Sequence, residues 1–256
     1  MAAVMVGTTF TPVVQAQGSA EPRAEATTKS EIHEIVPMEM VQQYKQDVDG
    51  DGKAETIQVY GQPYSPGAPY YRSFLLSITN GATGKTSLVP IADGGYKPAL
   101  TFVKLTTSRW PDILFASPTG GSGGTVTQKL YSLAKGKIYE IALPSTPTIR
   151  AKLESQYRIR FDIPSLNEST TLSIAWKKAE YDKAGVYQNG KLTKPFQPML
   201  FPIALFKPVK LANGTYRLQG YQEISGLYHA DGITNAVWTW KWNRDQWELL
   251  NVKFEK

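Results

Sequence analysis

The stretch Asp47–Gly61, DVDGDGKAETIQVYG, contains the two features on which the predicted fold rests. Its first half alternates three aspartates with other residues and carries two glycines. Its second half, Thr56–Tyr60, alternates polar and apolar side chains. Alternation with a period of two is typical of a β-strand that buries one face. The stretch therefore predicts an acidic loop that leads directly into a half-buried strand.

The same alternation recurs along the chain, and this predicts an all-β fold. It is clear in Arg158–Asp162, in Thr171–Trp176 and in Trp238–Trp242. Turn signals separate the runs, among them Asn80-Gly81 and Asn213-Gly214. Helical candidates are few, and residues 177–184 are predicted to form a single turn.

A weak internal repeat predicts how the strands are grouped. A polar turn, a strand, a glycine-containing loop and a hairpin follow one another in AETIQVYGQPYSPG, PDILFASPTGGSGG and TYRLQGYQEISG with their flanking residues. The first two openings lie about 57 residues apart. Units of this size predict an irregular β-propeller-like array of about four antiparallel units. A β-sandwich with similar hairpins is the alternative architecture.

Composition excludes several kinds of chemistry. The chain of 256 residues has no cysteine, so disulfides, thiol catalysis and cysteine metal sites are excluded. Its only histidines are His33 and His229, which excludes a histidine-rich metal site. The net charge of +6 favours anionic partners, but the lysines are spread singly rather than clustered. We therefore predict no nucleic-acid partner.

The N-terminal region resembles an export signal. Residues 1–16 are moderately apolar and end in Val14-Gln15-Ala16, which suits signal-peptidase cleavage. We predict a signal-peptide remnant over 1–16, a flexible linker over 17–31 and a single β-rich domain over 32–256. No apolar run is long enough to predict a transmembrane segment. These features predict a secreted or cell-envelope-associated monomer.

The acidic loop has a spacing that suits calcium, which binds oxygen ligands in a flexible shell. The predicted ligands are the carboxylates of four acidic residues and one backbone carbonyl: Asp47, Asp49, Asp51, Lys53 (carbonyl) and Glu55. An EF-hand is excluded, because its twelfth position needs a glutamate and is Gln58 here. The alternative is a metal-free turn rich in aspartate and glycine.

This loop resembles the calcium loops of FG-GAP/VCBS repeats, which occur in integrin-type β-propellers and read D-x-D-x-D-G-x-x-D. The match comprises Asp47, Asp49, Asp51 and Gly52, with Glu55 in place of the last aspartate. The second unit has Thr106–Arg109 where the acids would be. The resemblance implies a β-propeller whose calcium serves stability. It favours a scaffold or binding module over an enzyme.

Two further groups are candidate ligand-binding residues. Trp238, Trp240 and Trp242 fall on one face of a predicted strand, where they form either part of the core or an exposed strip for sugar or protein. The second group is Tyr228, His229 and Asp231, which lie in one polar loop. This loop either binds a ligand or is a surface turn.

Two functional hypotheses follow from the sequence. The first is a calcium-stabilised extracellular binding or structural module, whose partner is a cell-wall polymer, a glycan or a protein. The second is a secreted polysaccharide hydrolase that uses two carboxylates among Asp112, Glu223 and Asp231, although no catalytic residue can be assigned.

Overall fold

The structure is a computed structural model that describes residues 36–106, 109–134 and 136–255. The predicted signal-peptide remnant, the linker and His33 lie outside the described residues. Val36–Lys256 forms one compact unit. None of the helices in its described part has the length and apolar character of a membrane-spanning segment.

The first half of this unit consists of two antiparallel meanders, sheets I and II. Sheet I contains β1 (Glu39–Gln46), β2 (Glu55–Pro63), β3 (Tyr70–Thr79) and β4 (Thr86–Ile91) in spatial order, and β5 (Gly95–Tyr96) also pairs with β3. Sheet II contains β6 (Ala99–Val103), β7 (Asp112–Pro118), β8 (Val126–Ala134) and β9 (Lys137–Ile141). Strand β2 alternates buried and half-buried residues along its whole length, as the period-two pattern predicts.

The second half contains three more antiparallel sheets. Sheet III contains β10 (Arg150–Glu154), β11 (Arg158–Ile163) and β12 (Glu168–Ser173). The 3-10 turn Pro164–Leu166 connects β11 to β12, and a second 3-10 turn, Ala175–Lys177, and helix α1 (Lys178–Lys183) follow β12. Sheet IV pairs β13 (Tyr187–Gln188) with β14 (Lys191–Leu192). Sheet V is the meander of β15 (Met199–Lys210), β16 (Tyr216–Ser225), β17 (Gly232–Asn243) and β18 (Gln246–Glu255).

The all-β prediction is confirmed, and no sheet closes into a barrel within the described ranges. The helix predicted at residues 177–184 is the single short turn α1. Strong backbone pairing in these sheets agrees with the β-branched and aromatic residues that fill the alternating runs.

Three apolar clusters hold the sheets together. The first joins sheets I and II, with Phe74 and Phe115 in ring contact at 5.2 Å between centroids. The second joins sheet III, α1 and sheet V, where Phe161 stacks on Phe254 at 4.5 Å. A smaller cluster connects sheet II to sheet V through Leu218 of β16. Sheet II is therefore packed against both sheet I and sheet V.

Candidate metal centre and neighbouring sites

The acidic loop connects β1 to β2 and curls tightly between them. Gly50 and Gly52 have φ values of +78° and +85°, which glycine adopts without a Cβ penalty. Glu55 is the first residue of β2 and is fully buried. The β3–β4 turn closes over the loop, since a Cβ on Gly81 would lie 2.4 Å from the carbonyl oxygen of Ala54. The fold thus fixes the position of the loop from both sides.

Three of the predicted ligands meet in this loop. Asp47, Asp49 and Glu55, which we call the acidic triad, each place one carboxylate oxygen within 4.8 Å of the others. Two of its members, Asp49 and Glu55, border a cavity of about 410 Å³ that is also lined by Asn80 and Lys85. Oxygen atoms at this spacing can ligate one hard cation such as calcium.

The pKa of Glu55 is raised by burial and by neighbouring charges and is lowered by hydrogen bonds. Burial is the main reason why the pKa of Glu55 is raised, and the charges of Asp49 and Asp51 raise it further. The backbone N–H groups of Val48 and Gly81 donate to this carboxylate at 2.9 and 3.3 Å and lower its pKa in part. The net effect disfavours the ionised carboxylate, so a cation here would relieve a real electrostatic cost.

Asn80 is a member of the site that the sequence analysis assigned only to a turn. Its Nδ2 donates to Asp49 at 2.9 Å and to Glu55 at 3.3 Å. Its Oδ1 accepts from the backbone N–H groups of Ala82 and Thr83, which fixes the orientation of the amide. Asn80 directly follows β3 and is 25 residues from Glu55 in the sequence. No motif within the acidic loop could therefore predict its contribution to the site.

Asp51 and Lys53 are the two predicted ligands that are not members of the acidic triad. The Oδ1 of Asp51 accepts the N–H of Lys53 at 2.7 Å, and both residues are exposed. The carboxylate of Asp51 is not part of the triad, although Asp51 lines the same cavity as Asp49 and Glu55. Asp47 accepts the N–H groups of Gly50 and Gly52, so its carboxylate also organises the loop.

Sheet II contains an equivalent loop without the acidic triad. Asp112 begins β7 as Glu55 begins β2, and both carboxylates are fully buried. Asp112 accepts the N–H of Leu105 at 2.9 Å, and Glu55 accepts that of Val48 at the same distance and sequence separation. The acid at the start of the second strand, Glu55 or Asp112, therefore closes the loop in both units. Only the first unit adds the two aspartates that complete a candidate metal site.

The structure corrects the prediction of a ligand-binding tryptophan strip at two of its three residues. Trp238 is fully buried and Trp240 is 3% exposed, so both belong to the core and cannot form a surface strip. Trp238 donates its Nε1 proton to Gln222 at 2.8 Å. Only Trp242 is half-buried, and its ring meets Trp247 across the β17–β18 turn at 5.0 Å. The alternating pattern identified the shared face but not its partner sheet.

The polar loop of Tyr228, His229 and Asp231 is held by a buried ion pair. Asp231 is 1% exposed and pairs with Lys177, while its other oxygen accepts from Tyr181 Oη at 2.8 Å. Burial lowers the pKa of Lys177, but the hydrogen bond and charge of Asp231 outweigh it, so the net shift is upward. Asp231 is therefore committed to structure rather than to a ligand.

The other two loop residues remain accessible. Tyr228 is 53% exposed and donates to Glu180 at 2.7 Å. The Nε2 of His229 lies 3.5 Å from the Oε2 of Glu223, and the centroid of its ring lies 4.4 Å from that of Phe201.

The carboxylates proposed for hydrolysis differ in their availability. The carboxylate of Asp112 accepts hydrogen bonds from the backbone N–H groups of Leu105 and Thr106 and from the hydroxyl of Thr106. The carboxylate of Asp231 is likewise occupied, by Lys177 and Tyr181. Glu223 alone is half-exposed. A glycosidase needs two carboxyl groups open to the substrate, and these three residues offer one.

Comparison with known proteins places the second half of the chain beside one family. Residues 147–255 match the family described as the YybI C-terminal domain. The chain is 27% identical over 203 residues to the uncharacterized protein YybI of Bacillus subtilis (strain 168), which covers 77% of each chain. No solved structure matches the chain significantly.

Proposed function

We propose that this protein is a calcium-stabilised binding or structural module that acts outside the cytoplasm. The observation that carries the proposal is the convergence of the acidic triad, with three carboxylate oxygens within 4.8 Å of one another. Two of these carboxylates are half-buried and the third is fully buried. Like charges held this closely repel each other unless a cation or a proton offsets them.

The donor set suits calcium in its chemistry. All three side chains supply oxygen, which hard cations prefer, and no histidine or cysteine is present in the loop. Asp51 borders the same cavity, and Asp51 and the Lys53 carbonyl are the remaining candidates for the shell. Calcium modules of the extracellular space bind with dissociation constants of about 10⁻⁴ to 10⁻³ M, which suits a site with few charges.

A module is favoured over the alternative of a secreted polysaccharide hydrolase. Two of the three carboxylates considered for hydrolysis are buried and saturated by hydrogen bonds. The resemblance of the loop to FG-GAP/VCBS repeats also favours a stabilising role for the metal.

The same resemblance supports a repeated, propeller-like arrangement as the finer description of the fold. Sheets I, II and V are each four-stranded meanders, apart from the additional short strand β5. The matching closures at Glu55 and Asp112 support sheets I and II as repeats of one unit. An export signal and an extracytoplasmic location would expose the site to calcium at the concentrations it needs.

The experiment is a thermal melt in calcium and in chelator. We expect calcium to raise the Tm of the wild type, because it binds the folded loop and not the unfolded chain. Asp49→Asn keeps an acceptor for the N–H of Asp51 but removes one charge from the triad. We expect this variant to lose most of the calcium-induced shift.

Glu168→Gln is the matched control, since Glu168 is an exposed acid on β12, outside the acidic triad. It should keep the wild-type shift. A wild-type Tm that is the same in millimolar calcium and in chelator would overturn the proposal.

A further inference from the structure

A cleft between sheets II and V combines exposed cations with aromatic side chains. It consists of two adjoining cavities of about 560 and 440 Å³, which share Lys104, Gly214 and Tyr216 in their walls. Lys210 and Trp110 line the first cavity, and Trp242 lines the second. We call this surface the basic cleft.

The strand register explains why these side chains meet. Lys210 of β15 pairs with Tyr216 of β16, and Leu218 of β16 pairs with Trp240 of β17. Continuing that register by two residues places Tyr216 opposite Trp242. Direct cross-strand partners point to the same face of a sheet. The row therefore continues the face of buried Leu218, which packs against sheet II, and Lys104 follows the last residue of β6 on that sheet.

The lysines of the basic cleft have no acidic partner. Lys104 and Lys210 are exposed, and no carboxylate of the described residues lies within ion-pair distance of either ammonium group. Asp47 lines the first cavity, but both of its oxygens already accept backbone N–H groups of the acidic loop. The cleft thus presents two ammonium groups that are not paired with the one carboxylate in its wall, that of Asp47.

The walls also contain groups that suit a ligand with both apolar and polar faces. Tyr216 and Trp242 are half-buried, so part of each ring is open to solvent. Trp110 Nε1 is a buried donor that has no hydrogen-bond partner among the described residues. Because this atom is buried, it does not face the open cleft, and the accessible ring surface is that of Tyr216 and Trp242.

We propose that the basic cleft binds an acidic polysaccharide, that is, a sugar polymer with regularly spaced carboxylates. The inference rests on the proposed function of a binding module and names its ligand class. Lys104 and Lys210 would pair with the anionic groups, and the rings of Tyr216 and Trp242 would pack against the apolar faces of sugar rings. Aromatic residues beside the cations favour a glycan over a polyanion that lacks rings.

Binding of hyaluronan fragments at about 0.15 M salt tests this proposal, with neutral dextran as the uncharged probe. Lys104→Glu combined with Lys210→Glu should weaken hyaluronan binding by about tenfold or more, because two attractive contacts become repulsive. The matched control is Lys152→Glu combined with Lys191→Glu, which lowers the net charge equally but alters exposed lysines on β10 and β14. It should bind within about twofold of the wild type, since non-specific attraction is screened.

A second pair of variants tests the aromatic contribution. Trp242→Ala should weaken hyaluronan binding, and Trp242→Phe should retain most of it because the ring surface is kept. Binding that is equal in the two charge-reversed proteins would overturn the site. Inorganic polyphosphate bound as tightly as hyaluronan, with no effect of Trp242→Ala, would overturn the sugar assignment, as would tighter binding of single-stranded oligothymidylate.

The calcium-dependent melt of the same proteins separates the two proposals. Lys104→Glu with Lys210→Glu leaves the acidic triad intact, so its calcium-induced shift should persist while hyaluronan binding falls. A wild type that does not bind hyaluronan but shows the expected calcium-induced shift in Tm would refute only the proposal for the basic cleft. Hyaluronan binding without a calcium shift would refute the metal proposal alone.

Discussion

At the scale of single residues, the acidic triad is balanced by one amide. Asn80 donates to both Asp49 and Glu55, and thereby offsets part of the repulsion between them in the absence of a cation. Its oxygen is occupied by the β3–β4 turn, so the amide cannot rotate to offer that oxygen to a metal without breaking the turn. The site therefore has a neutral donor where a stronger calcium site would have a fourth oxygen.

Replacing this amide should separate metal-free stability from metal affinity. Asn80→Asp keeps the oxygen that caps the turn and adds a carboxylate oxygen toward the triad. In chelator we expect a lower Tm than in the wild type, because four acids then face one another. In calcium we expect a larger shift than in the wild type, measured by thermal melts. Asn189→Asp, in the exposed β13–β14 turn, is the control and should change neither value.

Titration of Glu55 gives a pH dependence with a defined sign. Its pKa is raised in the folded state by burial and by the neighbouring aspartates, so the folded protein takes up this proton at a higher pH than the unfolded chain does. In chelator, the stability of the wild type relative to Glu55→Gln should therefore rise as the pH falls from neutral through the raised pKa of Glu55.

Calcium should reverse this trend, since protonation removes a ligand. The calcium-induced shift in Tm should decrease over the same fall in pH. Melts of both proteins across this range provide the measurement, and a difference in chelator that does not change with pH would contradict the assignment.

At the scale of elements, the loop before β17 is fixed by the close approach of its backbone to buried side chains. In the loop before β17, Gly226 leaves no space for a side chain. A Cβ at this position would lie 2.1 Å from both Asp231 Oδ2 and Tyr181 Oη. The buried ion pair of Asp231 with Lys177 thus depends on a glycine at the end of β16.

Gly226→Ala should destabilise the fold by roughly 1 to 3 kcal/mol, which is typical of overpacking in a tight interior. Gly232→Ala, at the first residue of β17, is a nearby control, because a Cβ there meets nothing within 4 Å. Denaturant unfolding of both variants measures the difference. Equal stabilities would show that the loop shifts easily and that the ion pair does not fix it.

The sequence predicted elements well where the cause was local. Alternation in Thr56–Tyr60 correctly predicted a strand, because period two reflects the geometry of each residue's own backbone. The 57-residue spacing of the repeat agrees with the positions of Glu55 and Asp112, but the structure alone shows that their carboxylates close equivalent loops. Features that depend on another sheet were not predictable in this way. The sequence left open whether Trp238 and Trp240 belong to the core or to an exposed strip, and the burial of both residues shows that they belong to the core. Only tertiary packing shows which face of β17 is covered.

At the scale of the whole molecule, the acidic loop and the basic cleft are neighbours. Asp47 belongs to the acidic triad and also lines the first cavity of the cleft. The ring of Trp110 also lines that cavity, and it packs against Gly50, where an added Cβ would lie 2.8 Å from Cε3. A cation that orders the loop would therefore also order one wall of the cleft. The acidic loop contributes both to the acidic triad and to the basic cleft. Spacing along the chain could not predict this, because sheets II and V meet only after folding.

The proximity of Trp110 provides the most direct test of the central claim, which is that the acidic loop binds calcium. Terbium replaces calcium at oxygen sites and emits when a nearby tryptophan is excited. We predict sensitised terbium emission in the wild type, displaced by calcium, absent in Asp49→Asn and reduced in Trp110→Phe, while Trp110→Phe keeps the calcium-induced shift in Tm. A wild-type protein that gives no sensitised emission, or emission that calcium does not displace, would contradict the account.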